Sequence, residues 1–212
     1  ARRYPPVLGD WRDQRGQLAW MTGWLSECRR LARPDGALLL FSDWRQVPLI
    51  SDAVQAAGWV WRGQVVWDKT ARARPVRGSY RHQAEFVLFA TKGPWTPPTG
   101  GTFPGVFVHA PAGKNHLTAK PVRLARDLLG ILAPGSDVLD PFMGGGSILK
   151  GAADAGHRVL GIELQEESFG AAGRLLGVPT GRQERGSHSA RAVPRAVSGM
   201  GVPYEYAIKS KN

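Results

Sequence analysis

Along positions 14–33 the apolar residues Leu18, Met21, Leu25, Cys28 and Ala32 recur every three or four positions. That spacing lines one face of an amphipathic helix. Pro34-Asp35-Gly36 supplies its stop. The run Ala37-Leu38-Leu39-Leu40-Phe41 that follows is continuous rather than periodic. It has the length of a strand and is expected to be buried on both faces, as in a parallel sheet. A second helix is predicted through Val47, Ile50, Val54 and Ala57, with Gly58 at its C-terminal stop. Residues 59–67 and 84–90, rich in Trp, Val and Phe, read as two strands, expected to form an antiparallel pair across a long basic loop. Positions 92–115 are dense in Pro and Gly and read as loop.

Regular patterning resumes at Pro121, whose fixed φ suits the first turn of a helix with Val122, Ala125, Leu128, Leu129 and Leu132 on its apolar face. Pro134-Gly135 ends it. The best-defined unit spans 136–176. It contains a strand Asp137-Val138-Leu139-Asp140, a turn Gly144-Gly145-Gly146-Ser147, a helix over 148–155, a strand over 158–162 and a helix over 165–176. Strand, helix and strand in series predict a βαβ unit with parallel pairing. From 180 onward the chain is polar, rich in Arg, Ser and Gly, and aperiodic, so 180–212 reads as a partly disordered tail in which 204–208 could add one short strand.

Charge adds a direction to this outline. Lys and Arg outnumber Asp and Glu by 28 to 17, a formal net charge of +11 over 212 residues, which favours a polyanionic partner unless an Arg-rich genome alone explains it. Cys28 is the single cysteine, so an intrachain disulfide and a thiolate zinc cluster are excluded. No apolar run reaches the roughly 18 residues a membrane span needs, and no apolar segment follows the basic start, so the reading is a soluble chain without a secretory signal. The missing initiator Met suggests a fragment. The five histidines, His82, His109, His116, His157 and His188, show neither metal-ligand spacing nor a nucleophile beside them. Neither a metal nor a general base is assigned.

The glycine turn is the first chemical clue. Glycines between a strand and a helix let a ligand approach the backbone and aim unsatisfied N–H groups at it, although any α/β protein can use such a turn. Glu163 ends the second strand, where a ribose-binding acid sits in nucleotide sites of this plan. A dinucleotide fingerprint would need a third glycine at the position of Leu149, and a phosphate loop would need Gly-Lys-Ser or Gly-Lys-Thr after the glycines. Both are missing, so adenosine without a pyrophosphate is the better guess.

Asp140-Pro141-Phe142-Met143-Gly144-Gly145-Gly146-Ser147 resembles the Asp-Pro-Phe-x-Gly-x-Gly-Thr/Ser motif of S-adenosylmethionine-dependent amino-group DNA methyltransferases. His116-Leu117-Thr118-Ala119-Lys120-Pro121 is similar to the His-Pro-Thr-x-Lys-Pro segment that precedes it, and Gly161-Ile162-Glu163 to the second cofactor motif. Trp67-Asp68-Lys69, Arg81-His82-Gln83-Ala84-Glu85 and Lys92-Gly93 also look like mid-chain segments of that family. The order matches the permuted, β-type arrangement. The resemblance implies an α/β, Rossmann-like methyltransferase fold with a mostly parallel sheet, an antiparallel hairpin and circularly permuted motifs. It places a methyltransferase domain at 1–179, a basic loop at 69–82 and a target-recognition loop at 93–115.

Carried over by position, the resemblance implies that Asp140, Pro141, Phe142, Gly144, Gly146 and Ser147 line the cofactor S-adenosylmethionine and that Glu163 holds its ribose. It also implies that Phe41, Ser42 and Asp43 meet the cofactor, and that His116, Thr118 and Lys120 position its carboxylate. Core packing remains open for Phe41, and capping of the next helix for Asp43. Leu117 and Ala119 depart from the family pattern. Double-stranded DNA is the implied partner, met by Lys69, Arg72, Arg74, Arg77, Tyr80 and Arg81; a homodimer or a separate recognition subunit could complete recognition. The setting implied is the cytoplasm of a bacterium or phage-infected cell, in restriction-modification or orphan methylation.

One element of the pattern is lacking. The family's catalytic tetrad, Asp/Asn/Ser-Pro-Pro followed by Tyr, Phe or Trp, does not occur in the 212 residues; Tyr4-Pro5-Pro6-Val7 has only the prolines. In this motif order the tetrad is expected before residue 1, and the chain by itself is expected to be inactive. Two further readings stay open: a non-catalytic DNA-binding module, and methylation of RNA or protein.

Overall fold

The computed structural model describes residues 13–98, 100–112 and 119–178 and two short strands near the C-terminus, Ala196–Val197 and Pro203–Ala207. The chain divides into two compact units, Ala1–Thr96 with Pro104–Val108, and Pro97–Phe103 with His109–Asn212.

The first unit opens with α1 (Gln14–Leu31). Asp13 caps it, its carboxylate accepting the Gly16 N–H at 2.6 Å. At the other end the Lys92 ammonium donates to the Ala32 carbonyl at 2.6 Å, placing a cation where the helix leaves its last carbonyls unpaired. Then follow β1 (Ala37–Ser42), α2 (Val47–Ala56), β2 (Val60–Asp68), β3 (Ala84–Thr91) and β4 (Val106–Val108). The strand order is β1-β3-β2-β4. Met21 and Leu25 of α1, Ile50, Ala53 and Val54 of α2, and Leu88 and Ala90 of β3 form one buried cluster with Trp59. The Trp59 indole N–H donates to the Leu25 carbonyl at 3.0 Å, so this deep ring leaves no donor unpaired. Truncating the fully buried Leu25 would cost about 2 to 5 kcal/mol.

The second unit contains α3 (Val122–Leu129), β5 (Asp137–Asp140), α4 (Ser147–Asp154), β6 (Arg158–Ile162), α5 (Glu166–Leu176), β7 (Ala196–Val197) and β8 (Pro203–Ala207). Its strand order is β5-β6-β8-β7. Helices α3 and α4 touch through their backbones: a Cβ at Gly151 would lie 2.6 Å from the Val122 carbonyl oxygen.

Three sequence expectations change. The Leu-rich strand β1 runs antiparallel to β3, and its residues from Ala37 to Phe41 are only half-buried. An apolar run reports burial, not the direction of its neighbour. Within the loop region 93–115, Val106–Val108 pairs parallel to β2, so that segment carries a strand. In the tail, the short strand expected at 204–208 forms as β8, over Pro203–Ala207, and adds to β6 in parallel, while β7, which was not expected, pairs with β8 antiparallel. With three parallel and three antiparallel pairings among the described residues, the sheets are mixed, whereas a mostly parallel sheet was expected. The α/β class and the βαβ unit over 137–162 stand as read.

Candidate functional site

The second unit brings Asp140, the glycine turn and Glu163 together. Asp140 closes β5 and accepts the Phe142 N–H at 3.0 Å, which folds the chain sharply out of the strand. The buried Met143 then donates its N–H to the Ile162 carbonyl of β6 at 3.1 Å and accepts from the Gly146 N–H at 2.8 Å. These bonds fix the turn to the ends of both strands. Gly146, at φ 78°, is the N-cap of α4 and offers no side-chain acceptor to the first turn of that helix. Those N–H groups are left available to a ligand. Beside Gly144 and Gly145 nothing lies within 4 Å of where a Cβ would be, so the backbone there is open to close approach. Phe142 stands half exposed over the same turn.

Glu163 is bonded more heavily than its place at a strand end suggests. Oε2 accepts the Gly144 N–H at 2.9 Å, and Oε1 accepts the N–H groups of Leu164 and Gln165, both at 2.8 Å. The carboxylate therefore latches the glycine turn and holds the backbone that leads into α5 at once. Each oxygen has about two acceptor positions, so Oε2 has the capacity for a second hydrogen bond. Burial, with the negative charge of Glu163 adding to it, pushes the Asp140 carboxyl up to about 6, against the opposing effect of the Phe142 N–H. Pro141 and Ser147 are half-buried at the rim, and Lys120 is half-buried just before α3. His116 and Thr118 lie outside the described residues.

Phe41, Ser42 and Asp43 belong to the first unit. Phe41 is half-buried in β1, and the buried Ser42 hydroxyl donates to the Asp43 carbonyl at 2.8 Å. Asp43 does not cap α2, whose N-cap is Gln46. Its carboxylate instead accepts the Arg45 N–H at 2.8 Å and the Arg45 guanidinium at 3.1 Å. Partial burial raises its pKa, but the hydrogen bonds and charge of Arg45, together with the Gln46 N–H, outweigh this and hold the carboxyl below its ordinary value.

The basic loop between β2 and β3 sorts its cations into two groups. Arg81 donates to the carbonyls of Ala71 and Ala73, and Lys69 pairs with Glu85 at 3.7 Å and lies over the buried Trp67 ring. Asp68 accepts the Thr70 N–H and the Gln83 amide, each at 2.7 Å. These contacts fasten the base of the loop. Arg72, Arg74, Arg77 and Tyr80 face solvent, Tyr80 at 93% exposure. Sequence reading missed Trp44, which is 55% exposed and stacked on His82 with ring centroids 6.1 Å apart and planes at 14°. An isolated Trp after a strand gives no signal until its neighbour is known.

Residues 7–109 and 98–173 match the DNA methylase family of N6 and N4 amino-group enzymes. The chain belongs to this family. YubD of Escherichia coli (strain K12), whose own methylase assignment is provisional, is 30% identical over 202 residues, covering 91% of this chain and 88% of YubD. Among solved structures, M1.HpyAVI in complex with SAM superposes with a TM-score of 0.65 at 25% identity over 74% of this chain and 82% of that one. TTHA0409 of Thermus thermophilus, provisionally described as a DNA modification methylase, gives a TM-score of 0.67 at 22% identity over 95% of this chain and 88% of that one. This second likeness establishes the α/β methyltransferase fold.

Proposed function

We propose that the chain holds S-adenosylmethionine at the turn between Asp140 and Glu163 and serves methyl transfer to an exocyclic amine of duplex DNA, adenine N6 ahead of cytosine N4. The observation that carries this is the Asp140–glycine turn–Glu163 arrangement within a chain of the amino-group methylase family. An open glycine backbone and helix N–H groups suit the methionine end, and the spare acceptor position on Glu163 suits a ribose hydroxyl. The bound cofactor supplies an electrophilic sulfonium methyl. The protein's work is to bind and orient: Asp140 and Glu163 fix the turn, while Phe142 contributes an apolar edge. Arg72, Arg74 and Arg77 meet phosphates, and Lys69 and Arg81 hold the loop that presents them. M1.HpyAVI, crystallised with SAM, supports the cofactor assignment. A cytoplasmic restriction-modification, phage or orphan methylation setting suits such an enzyme, with a homodimer or a separate recognition subunit completing target choice.

Transfer also requires the acceptor nitrogen to be stripped of its conjugation and aimed at the methyl group, the work of a carboxylate or amide, a proline carbonyl and an aromatic platform. No Asp/Asn/Ser-Pro-Pro-aromatic tetrad occurs in the 212 residues. The chain as a separate species is therefore expected to bind cofactor and DNA without turnover. The same observation favours a second reading, a DNA-binding module that has lost catalysis. Tritiated methyl transfer to mixed-sequence DNA separates them when measured on the chain alone and on the chain extended by a segment with Asp-Pro-Pro-Tyr. Turnover in the extended chain alone supports the enzyme, and its absence from both supports the module. Robust turnover by the chain alone overturns the assignment of catalysis to the tetrad.

A further inference from the structure

Resting on the reading that the chain acts on DNA, we propose that Trp44, backed by His82, is a stacking ledge for an unpaired base. Strand register places it. Ser42, the last residue of β1, lies opposite Phe86, and Asp68, the last residue of β2, lies opposite Ala84. The turn after β1 and the basic loop between β2 and β3 therefore leave the first unit's sheet at the same end. Trp44 sits inside a turn closed by the Asp43 carboxylate and the Arg45 N–H, and its ring is stacked on His82. Backbone and ring are both held before any ligand arrives, yet more than half of the residue remains in contact with solvent.

Charge identifies the occupant. Positions 69–83 hold Lys69, Arg72, Arg74, Arg77 and Arg81 and neither Asp nor Glu. With Lys69 and Arg81 engaged inside the loop, Arg72, Arg74, Arg77 and the almost fully exposed Tyr80 are presented outward. A nucleotide offers a π face to Trp44 and phosphates to the arginines, and stacking of this kind tolerates any base. The base has to be unpaired, because inside a duplex both its faces are already covered by neighbours.

The test measures binding of the 212-residue chain to a fully paired duplex and to the same duplex with one extrahelical 2-aminopurine. Wild type is expected to prefer the extrahelical base by about 5- to 100-fold and to quench its fluorescence. Trp44→Ala abolishes both effects and leaves the dependence of log affinity on log salt unchanged, while Trp44→Phe restores part of the preference. Replacing Arg72, Arg74 and Arg77 together with Ala lowers that salt slope by about 2 to 3 and keeps the preference. If circular dichroism shows both Trp44 variants unfolded, His82→Ala carries the test with an expected several-fold loss of preference. Persistence of the preference in Trp44→Ala, or in His82→Ala where that variant decides, overturns the ledge, as does a wild type that binds both duplexes equally. A Trp44→Ala change that alters the oligomeric state but not DNA preference assigns the ring to a protein interface instead. Failure of wild type to bind either duplex removes the DNA reading itself, and the ledge with it.

Discussion

Asp140 serves the turn through its hydrogen bond to Phe142 and carries an unfavourable charge while doing so. Its carboxyl is raised from 3.8 to about 6 in the folded chain, so between those values the native state binds more protons than the unfolded one. Stability from this group is present at low pH and is lost as pH rises through about 6. Asp140→Asn keeps an oxygen for the Phe142 N–H and has nothing to ionise. Relative to wild type, the variant should therefore gain stability from about pH 4 to about pH 6, by at most about 1.4 kcal/mol per pH unit, and hold that gain above. Urea unfolding of both proteins across this range checks it, and a difference that does not change with pH would contradict it. The motif made Asp140 and Glu163 visible in the sequence, because residue type and order suffice for that. It could not show that Glu163 already accepts three backbone N–H groups, or that Arg81 and Lys69 are consumed inside their loop. Those contacts depend on where distant backbone segments come to lie.

At the scale of elements, the glycine turn works because two of its members adopt φ values closed to most residues, 52° at Gly144 and 78° at Gly146. The two positions differ in surroundings. A Cβ at Gly144 meets nothing within 4 Å, whereas one at Gly146 would lie 2.9 Å from the Ala172 Cβ and 3.1 Å from its Cα. Gly144→Ala should therefore cost about 1 to 2 kcal/mol from backbone strain alone. Gly146→Ala should cost more, about 2 to 4 kcal/mol, because α5 must also move. Equal losses in thermal or urea unfolding would refute this account of the turn. Helical periodicity exposed α1, α2 and α3, and the βαβ unit was legible because strand, turn and helix signals agree there. The direction of β1 was not legible, since Leu38-Leu39-Leu40 is equally apolar beside a parallel or an antiparallel neighbour. A short strand near β8 was legible, but its parallel partner β6 and its neighbour β7 were not, because those pairings are made by backbone groups that every sequence carries.

For the whole molecule, a net charge of +11 and a family of DNA amino-group methylases point to the same class of polyanion, and no helix among the described residues is long and apolar enough to cross a membrane. The order of motifs carried the family assignment from sequence, because three segments in a fixed order constrain the answer more than composition does. The claim on which the rest depends is that the Asp140–Glu163 turn is the cofactor site. Calorimetric titration of S-adenosylmethionine into the wild-type chain and into Glu163→Gln tests it most directly. The account predicts saturable binding by wild type and a loss of about 1.5 to 3 kcal/mol in the variant, the scale of a charge-assisted hydrogen bond. Equal affinities for the two proteins would contradict it.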